Sequence, residues 1–150
     1  MNSHGGFTLV ELIVVISVMG IMAAFTIPRF VSNDIFQTRG DADALASSLR
    51  YAQKTAIAQR TNVYAVYNTG LISLCFTTDC GSTVIDPGTG AAYVFQFSNS
   101  VNVSASNSSL GFNSLGQPIP NTLTTYTVTN KNNSAQSLTV TVEANTGYVH

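Results

Sequence analysis

The chain has 150 residues, room for one domain and one anchoring segment. Charged residues make up 9% of it, against roughly a quarter in ordinary globular proteins, and the net charge is −1 at neutral pH. Five of the six basic residues (Arg29, Arg39, Arg50, Lys54 and Arg60) lie before residue 61. Beyond it Lys131 stands against Asp79, Asp86 and Glu143, a formal net of −2, so the C-terminal part lacks the basic footprint of a nucleic-acid binder.

Residues 1 to 27 read MNSHGG and then FTLVELIVVISVMGIMAAFTI. The apolar run contains one carboxylate, Glu11. A carboxylate at the centre of a membrane helix costs about 3 kcal/mol, less near an end, and spanning a bilayer does not require one. A cut between Gly6 and Phe7 would give Phe7 a charged amine. Four residues then separate amine and carboxylate, which places them on one helical face, and pairing them within a chain or between neighbours relieves both costs. Two plainer readings compete. In an ordinary secretory signal Ala23 and Ala24 would mark the cleavage site, but Glu11 inside the apolar core argues against it. A simple anchor leaves Glu11 unexplained.

The run is long enough to cross a hydrocarbon core as one helix, at about 1.5 Å per residue. Gly20, Ala23 and Ala24 allow close helix approach in lipid. Pro28 has no N–H and is expected to kink the helix or loosen the turn before it. A second helix is expected from Phe30 to Arg60, where Leu45, Leu49, Ala52 and Ala56 recur at helical spacing with Ile57 alongside, a stripe suited to packing on a sheet. Gly40 is a possible interruption. If both helical stretches join they reach about 80 Å.

The period then becomes alternating. Strands are expected over 62–67 and 71–76 around an Asn68-Thr69-Gly70 turn, then over 93–97, 101–105, 124–130 and 137–143, with a short last strand at 148–150. Residues 77–90 read as a loop, and 110–120 as mostly loop with a short strand at Phe112. Thr, Ser and Asn are abundant after residue 60, which suits solvated strand faces and turns.

Cys75 and Cys80 are the only cysteines, and the histidines, His4 and His150, sit at opposite ends. This set cannot make a four-ligand zinc site. A small-loop disulfide in an oxidising compartment is expected, adding about 2 kcal/mol through chain entropy; two free thiols in a loop is the alternative. Asp79 and Asp86 flank the loop, but loops with one or two acids are usually turns. Catalysis needs a nucleophile and base, a carboxylate pair or a metal, and after loss of the leader only His150 remains as a histidine. No enzyme activity, metal or cofactor is expected.

Gly6 to Glu11, G-F-T-L-V-E, with the apolar run and Pro28 behind it, resembles the class III signal of type IV prepilins and type II secretion pseudopilins. L-R-Y-A-Q-K-T-A-I-A-Q-R at 49–60, F-N-S-L-G-Q-P at 112–118 and T-V-E-A-N-T-G-Y-V at 141–149 resemble the H-type pseudopilin and FimT-like minor pilin group, with the C component of mannose-sensitive haemagglutinin pili as the nearest likeness. The resemblance implies cleavage by a prepilin peptidase after Gly6, N-methylation of Phe7, assembly through Glu11, and a minor structural subunit that starts or caps a filament. Its implied partners are the peptidase, other pilins or pseudopilins and the inner membrane, with the head in the periplasm before export to a pilus or pseudopilus. The leader has no lysine or arginine, so that orientation rests on the resemblance and the cysteines, not on basic residues. Some FimT-like proteins bind DNA through C-terminal arginines. Here the matching stretch is Gly147-Tyr148-Val149-His150, so nucleic acid is not an expected partner. A tip adhesin or DNA-uptake module is the alternative function.

The expected fold is α+β: a long N-terminal helix, its first half membrane-spanning, packed on an antiparallel β-sheet head. The expected division is a leader at 1–6, an assembly helix at 7–28, an amphipathic helix at 29–61 and the head at 62–150.

Overall fold

The computed structural model describes residues 6–30 and 33–150, with side chains described outside 24–34. The expected leader therefore lies almost wholly outside the described residues. Two compact units divide the chain after Asn33.

The first unit holds α1, Leu9–Phe30. It continues past Pro28; that side chain, and the kink expected of it, lie outside the described residues. So does the junction with the next helix. Among the described residues no helix is long and apolar enough to cross a membrane. The apolar side chains described in α1 end near residue 23, short of the ~20 a span needs.

The second unit holds most of α2, Asn33–Gln59, and eight strands. Gly40 does not interrupt α2: its neighbours on the buried face, Thr38, Asp41 and Ala42, supply the packing that offsets glycine's low helix propensity. Leu45, Leu49, Ala52 and Ala56 are fully buried, as their spacing predicts. Ile57, expected beside them, is 47% exposed and lies at the margin of the stripe.

The head contains two antiparallel sheets where one was expected. The larger has the order β3-β2-β1-β5-β6, from β1 (Val63–Asn68), β2 (Leu71–Cys75), β3 (Val94–Gln96), β5 (Ser109–Phe112) and β6 (Pro118–Ile119). The smaller has the order β4-β7-β8, from β4 (Val101–Ala105), β7 (Thr124–Asn130) and β8 (Ser137–Val142). The β1–β2 hairpin turns on Thr69 and Gly70, both at positive φ as a type I′ turn demands. Residues 110–120, expected as mostly loop, form β5, a turn and β6. Their register pairs Gly111 with Ile119 and Phe112 with Pro118. Proline on a sheet edge hides this strand from periodicity, because an edge strand tolerates a missing N–H.

The two-residue period decides what each strand buries. On β7, Thr124, Tyr126, Val128 and Asn130 point inward. The threonines between them lie in register with Ser104 on β4 and with Ser137, Thr139 and Thr141 on β8. The threonine-rich composition is thus the outer face of the smaller sheet. The core joins the α2 stripe to Val63, Ala65, Ile72, Leu74, Leu110 and Phe112 of one sheet and Tyr126, Val128, Val140 and Val142 of the other. Among the described residues the buried hydroxyls of Ser109 and Tyr126 have no hydrogen-bond partner.

Candidate functional site

The N-terminal segment presents the chemistry that the sequence singles out. Gly6 and Phe7 precede the helix in non-helical backbone, and Phe7 is 80% exposed. Thr8 caps α1: its Oγ1 accepts from the Glu11 N–H at 3.2 Å, and its carbonyl from Leu12 N at 3.2 Å. Thr8-Leu9-Val10-Glu11 is thus the first half of a capping box, a signal legible in T-x-x-E and missed by a reading fixed on the Glu11 charge. The Glu11 carboxylate lies in the first helical turn, where the helix dipole favours an anion. Among the described residues it has no ion-pair partner within the chain. Apolar side chains from Leu9 to Met22 stay exposed on every face, and Ser17 satisfies its hydroxyl on the Ile13 carbonyl at 2.7 Å. A helix whose described side chains are apolar and exposed all round needs lipid or other helices.

Cys75 and Cys80 are joined by a disulfide. Cys75 is buried at the end of β2, so the bridge ties the following turn to the sheet. Phe76 N donates to Ser82 O and Val84 N to Leu74 O, both at 2.8 Å, which folds the loop back along β2 with Val84 buried. The acids serve turns. The Thr77 hydroxyl and the Gly81 N–H hold the Asp79 carboxyl below its ordinary value. Asp86 accepts from Gly88 N and from the Thr89 hydroxyl, both at 3.0 Å. Among the described residues no cluster of acids, cysteines or histidines fits a metal ion.

The three head stretches, 49–60, 112–118 and 141–149, meet at one point. Gln53 of α2 spends one amide proton on Gly116 O at 2.8 Å and the other on Thr146 O at 3.2 Å. One turn earlier, Arg50 Nη2 donates to Val149 O at 3.2 Å. Gly116 and Gly147 both adopt positive φ, 79° and 67°. A Cβ on Gly147 would strike the Gly116 carbonyl and come within 2.7 Å of Gln53 Nε2. A Cβ on Gly116 would sit 2.8 Å from Ile57 Cδ1. Two left-handed glycine turns are thus clamped on one glutamine. The last residues are held too: Val149 bridges Val142, and His150 Nε2 lies 3.0 Å from Glu143 Oε1 in an exposed pair.

Residues 41–146 match the family described as Type II transport protein GspH, and residues 1–27 match the prokaryotic N-terminal methylation motif. The chain belongs to the GspH family. Among solved structures, this GspH-family chain is similar to the type IV minor pilin FimU of Pseudomonas aeruginosa, with TM-score 0.58 and 16% identity, covering 75% of this chain and 85% of that one. It is also similar to the minor pseudopilin EpsH of the Vibrio cholerae type 2 secretion system, with TM-score 0.61 and 14% identity, covering 76% and 94%. At such identities the likeness concerns the fold, an N-terminal helix on antiparallel sheets. A curated relative, the type IV narrow pilus major component PilA5 of Thermus thermophilus, is 38% identical over 58 residues, 39% of this chain. The chain spans about half the length of that relative. A GspH-like minor pilin or pseudopilin with an N-methylation motif is a structural subunit and not an enzyme. The matched N-terminal methylation motif spans the Gly6–Phe7 bond and the apolar run behind it.

Proposed function

We propose that the chain is a minor subunit that starts or caps a pilus or pseudopilus. A prepilin peptidase cleaves it between Gly6 and Phe7 and methylates the new amine. The residues from Phe7 to Pro28 hold it in the inner membrane in a single pass, with the head in the periplasm. Assembly then pairs the Phe7 amine of one subunit with the Glu11 carboxylate of a neighbour. The observation that carries this reading is the exposed apolar surface described in α1, with a carboxylate in its first turn that has no ion-pair partner among the described residues, just after an exposed Gly6–Phe7 bond. Within the family, the stretches at 49–60, 112–118 and 141–149 favour the C component of mannose-sensitive haemagglutinin pili as the specific likeness.

The test is to express the full chain with and without a prepilin peptidase and read the N-terminal peptide by mass spectrometry. A peptide that begins at Phe7 with one added methyl, only when the peptidase is present, is the expected result. An intact Met1, or a cut after Ala23 or Ala24, overturns the reading. A tip-binding module remains the second reading, favoured by one pocket in the head. With a net charge of −2 beyond residue 60, that module would not take DNA.

A further inference from the structure

The loop from β3 to β4 crosses between the two sheets and is held from three sides. Asp41 of α2, buried and with no ion-pair partner among the described residues, accepts from Ser98 N at 2.9 Å and from the Ser98 hydroxyl at 3.2 Å. The Ser100 hydroxyl donates to Gln37 Oε1. From the end of β7, Lys131 N donates to Ser100 O at 2.9 Å and Lys131 Nζ to Asn99 O at 2.8 Å. Tyr67 closes the space beneath: its hydroxyl donates to Val103 O at 2.9 Å, and its ring meets Phe97 edge-on. What remains is a pocket of about 320 Å³ between the end of β3, the β1–β2 turn and β4. Its size is at the low end for small-molecule sites, room for one or two pyranose rings. Its walls are fixed before any ligand arrives, which lowers the ordering cost of binding.

The lining is specific in its chemistry. Among the described residues that line it, Lys131 is the only one with a charged side chain. One ammonium proton is used on Asn99 O, and two are free. Gln96 and Asn102 are exposed at the rim, and among the described residues their amides have no hydrogen-bond partner in the chain. Each can donate and accept, the capacity that vicinal hydroxyls require. The wall has no arginine and no helix N-terminus, so it lacks the several donors a phosphate dianion asks for. An added peptide strand would need the free edge of β4. That edge is already used, with Val103 O on Tyr67 and Val101 N on Ser98 O.

We propose that this pocket binds a carboxylate-bearing sugar, with Lys131 on the carboxylate and Gln96 and Asn102 on ring hydroxyls. Such a sugar has two sources, a sialylated host-type glycan or a uronic-acid polysaccharide, and both offer the same groups.

The test is calorimetric titration of the full chain in detergent micelles with sialyllactose, oligogalacturonate and neutral lactose. Binding of at least one acidic probe, with a dissociation constant on the order of 1 mM and weakened by salt, is expected. Which acidic probe binds more tightly identifies the source. Lys131→Gln weakens binding about tenfold and Lys131→Arg restores most of it. Gln96→Ala weakens it a few-fold, and because the Gln96 side-chain amide has no partner among the described residues and the substitution leaves the β3 backbone pairing in place, that loss is not one of folding. No heat with either acidic probe up to roughly 20 mM overturns the proposal. So does equal affinity for lactose, or binding of an acetylated peptide with a free C-terminal carboxylate in place of the sugars. None of these results bears on processing at Phe7, which the N-terminal peptide decides separately.

Discussion

Replacing Gln53 tests whether one side chain holds the head's two glycine turns together. Its two bonds reach Gly116 O at 2.8 Å and Thr146 O at 3.2 Å. A neutral hydrogen bond contributes about 1 kcal/mol net, more where the abandoned carbonyl stays buried. Gly116 is buried and Thr146 is exposed, so water can replace the second bond but not the first. Gln53→Met keeps the volume and removes both bonds, for an expected loss of about 1–2 kcal/mol. For a unit the size of Asp34–His150 that lowers the melting temperature by roughly 4–8 °C. Gln53→Glu puts a carboxylate against two carbonyl oxygens and loses more at neutral pH. Part of that loss returns below about pH 4, where a protonated carboxyl can donate one bond. Thermal unfolding followed by far-UV circular dichroism reads all three proteins. A Met variant within 1 °C of the parent, or a Glu variant as stable as the Met variant at pH 7, would refute the clamp.

Four other outcomes are expected. Glu11→Ala inserts and is processed but does not enter filaments; the Thr8 cap survives because it uses the Glu11 backbone, so filament yield isolates the carboxylate, and normal incorporation sinks the pairing. Gly147→Ala combines left-handed strain with contacts on Gly116 O and Gln53, costing about 3 kcal/mol or more in a urea titration. Asp41→Ala costs about 2 kcal/mol and speeds amide exchange at Ser98, where unchanged exchange would show that the loop does not depend on it. Tyr126→Phe is neutral or up to about 1 kcal/mol stabilising, because the hydroxyl it removes is buried and unpaired. Burial pushes that hydroxyl far above its ordinary value, so the folded chain holds the proton more tightly than the unfolded one. The resulting stability is complete below about pH 10 and is lost as pH rises past it, so the Phe variant should flatten the alkaline arm of the melting-temperature profile.

Elements with a strong period were legible before any fold was known. Leu45, Leu49, Ala52 and Ala56 announced the face of α2, and T-T-Y-T-V-T-N announced a strand at 124–130, on which the structure turns Tyr126 and Val128 inward. Gly40 misled because propensity is a local cost, and the Thr38, Asp41 and Ala42 contacts around it are tertiary. The second sheet was illegible for a different reason. Alternation says which side of a strand is buried, not which strand it pairs with, and β4 joins β7 across eighteen residues of other structure. At the N-terminus the charge of Glu11 drew attention from the Thr8 hydroxyl three residues before it, though both belong to one capping pattern.

The same distinction separates frame from specificity in the head. The stretches that carry the family likeness, 49–60, 112–118 and 141–149, spend key polar groups on each other: Gln53 on Gly116 and Thr146, and Arg50 on Val149. Groups so committed have little left to offer a ligand, and their bonds answer to backbone carbonyls that any side chain would leave in place. The pocket draws instead on Tyr67, Gln96, Asn99, Asn102 and Lys131, none of which lies in those stretches. Among the described residues the Gln96 and Asn102 amides stay uncommitted, because the loop between them is held through Ser98 on Asp41, Ser100 on Gln37 and Lys131 on Ser100 and Asn99. Exchanging residues at 96 and 102 should therefore change what the head binds with little effect on its melting temperature, whereas Gln53 and Gly147 should do the reverse. Substitutions at 96 and 102 that lower stability as much as those at 53 would mean that frame and pocket are one cooperative network, and the division drawn here would fail.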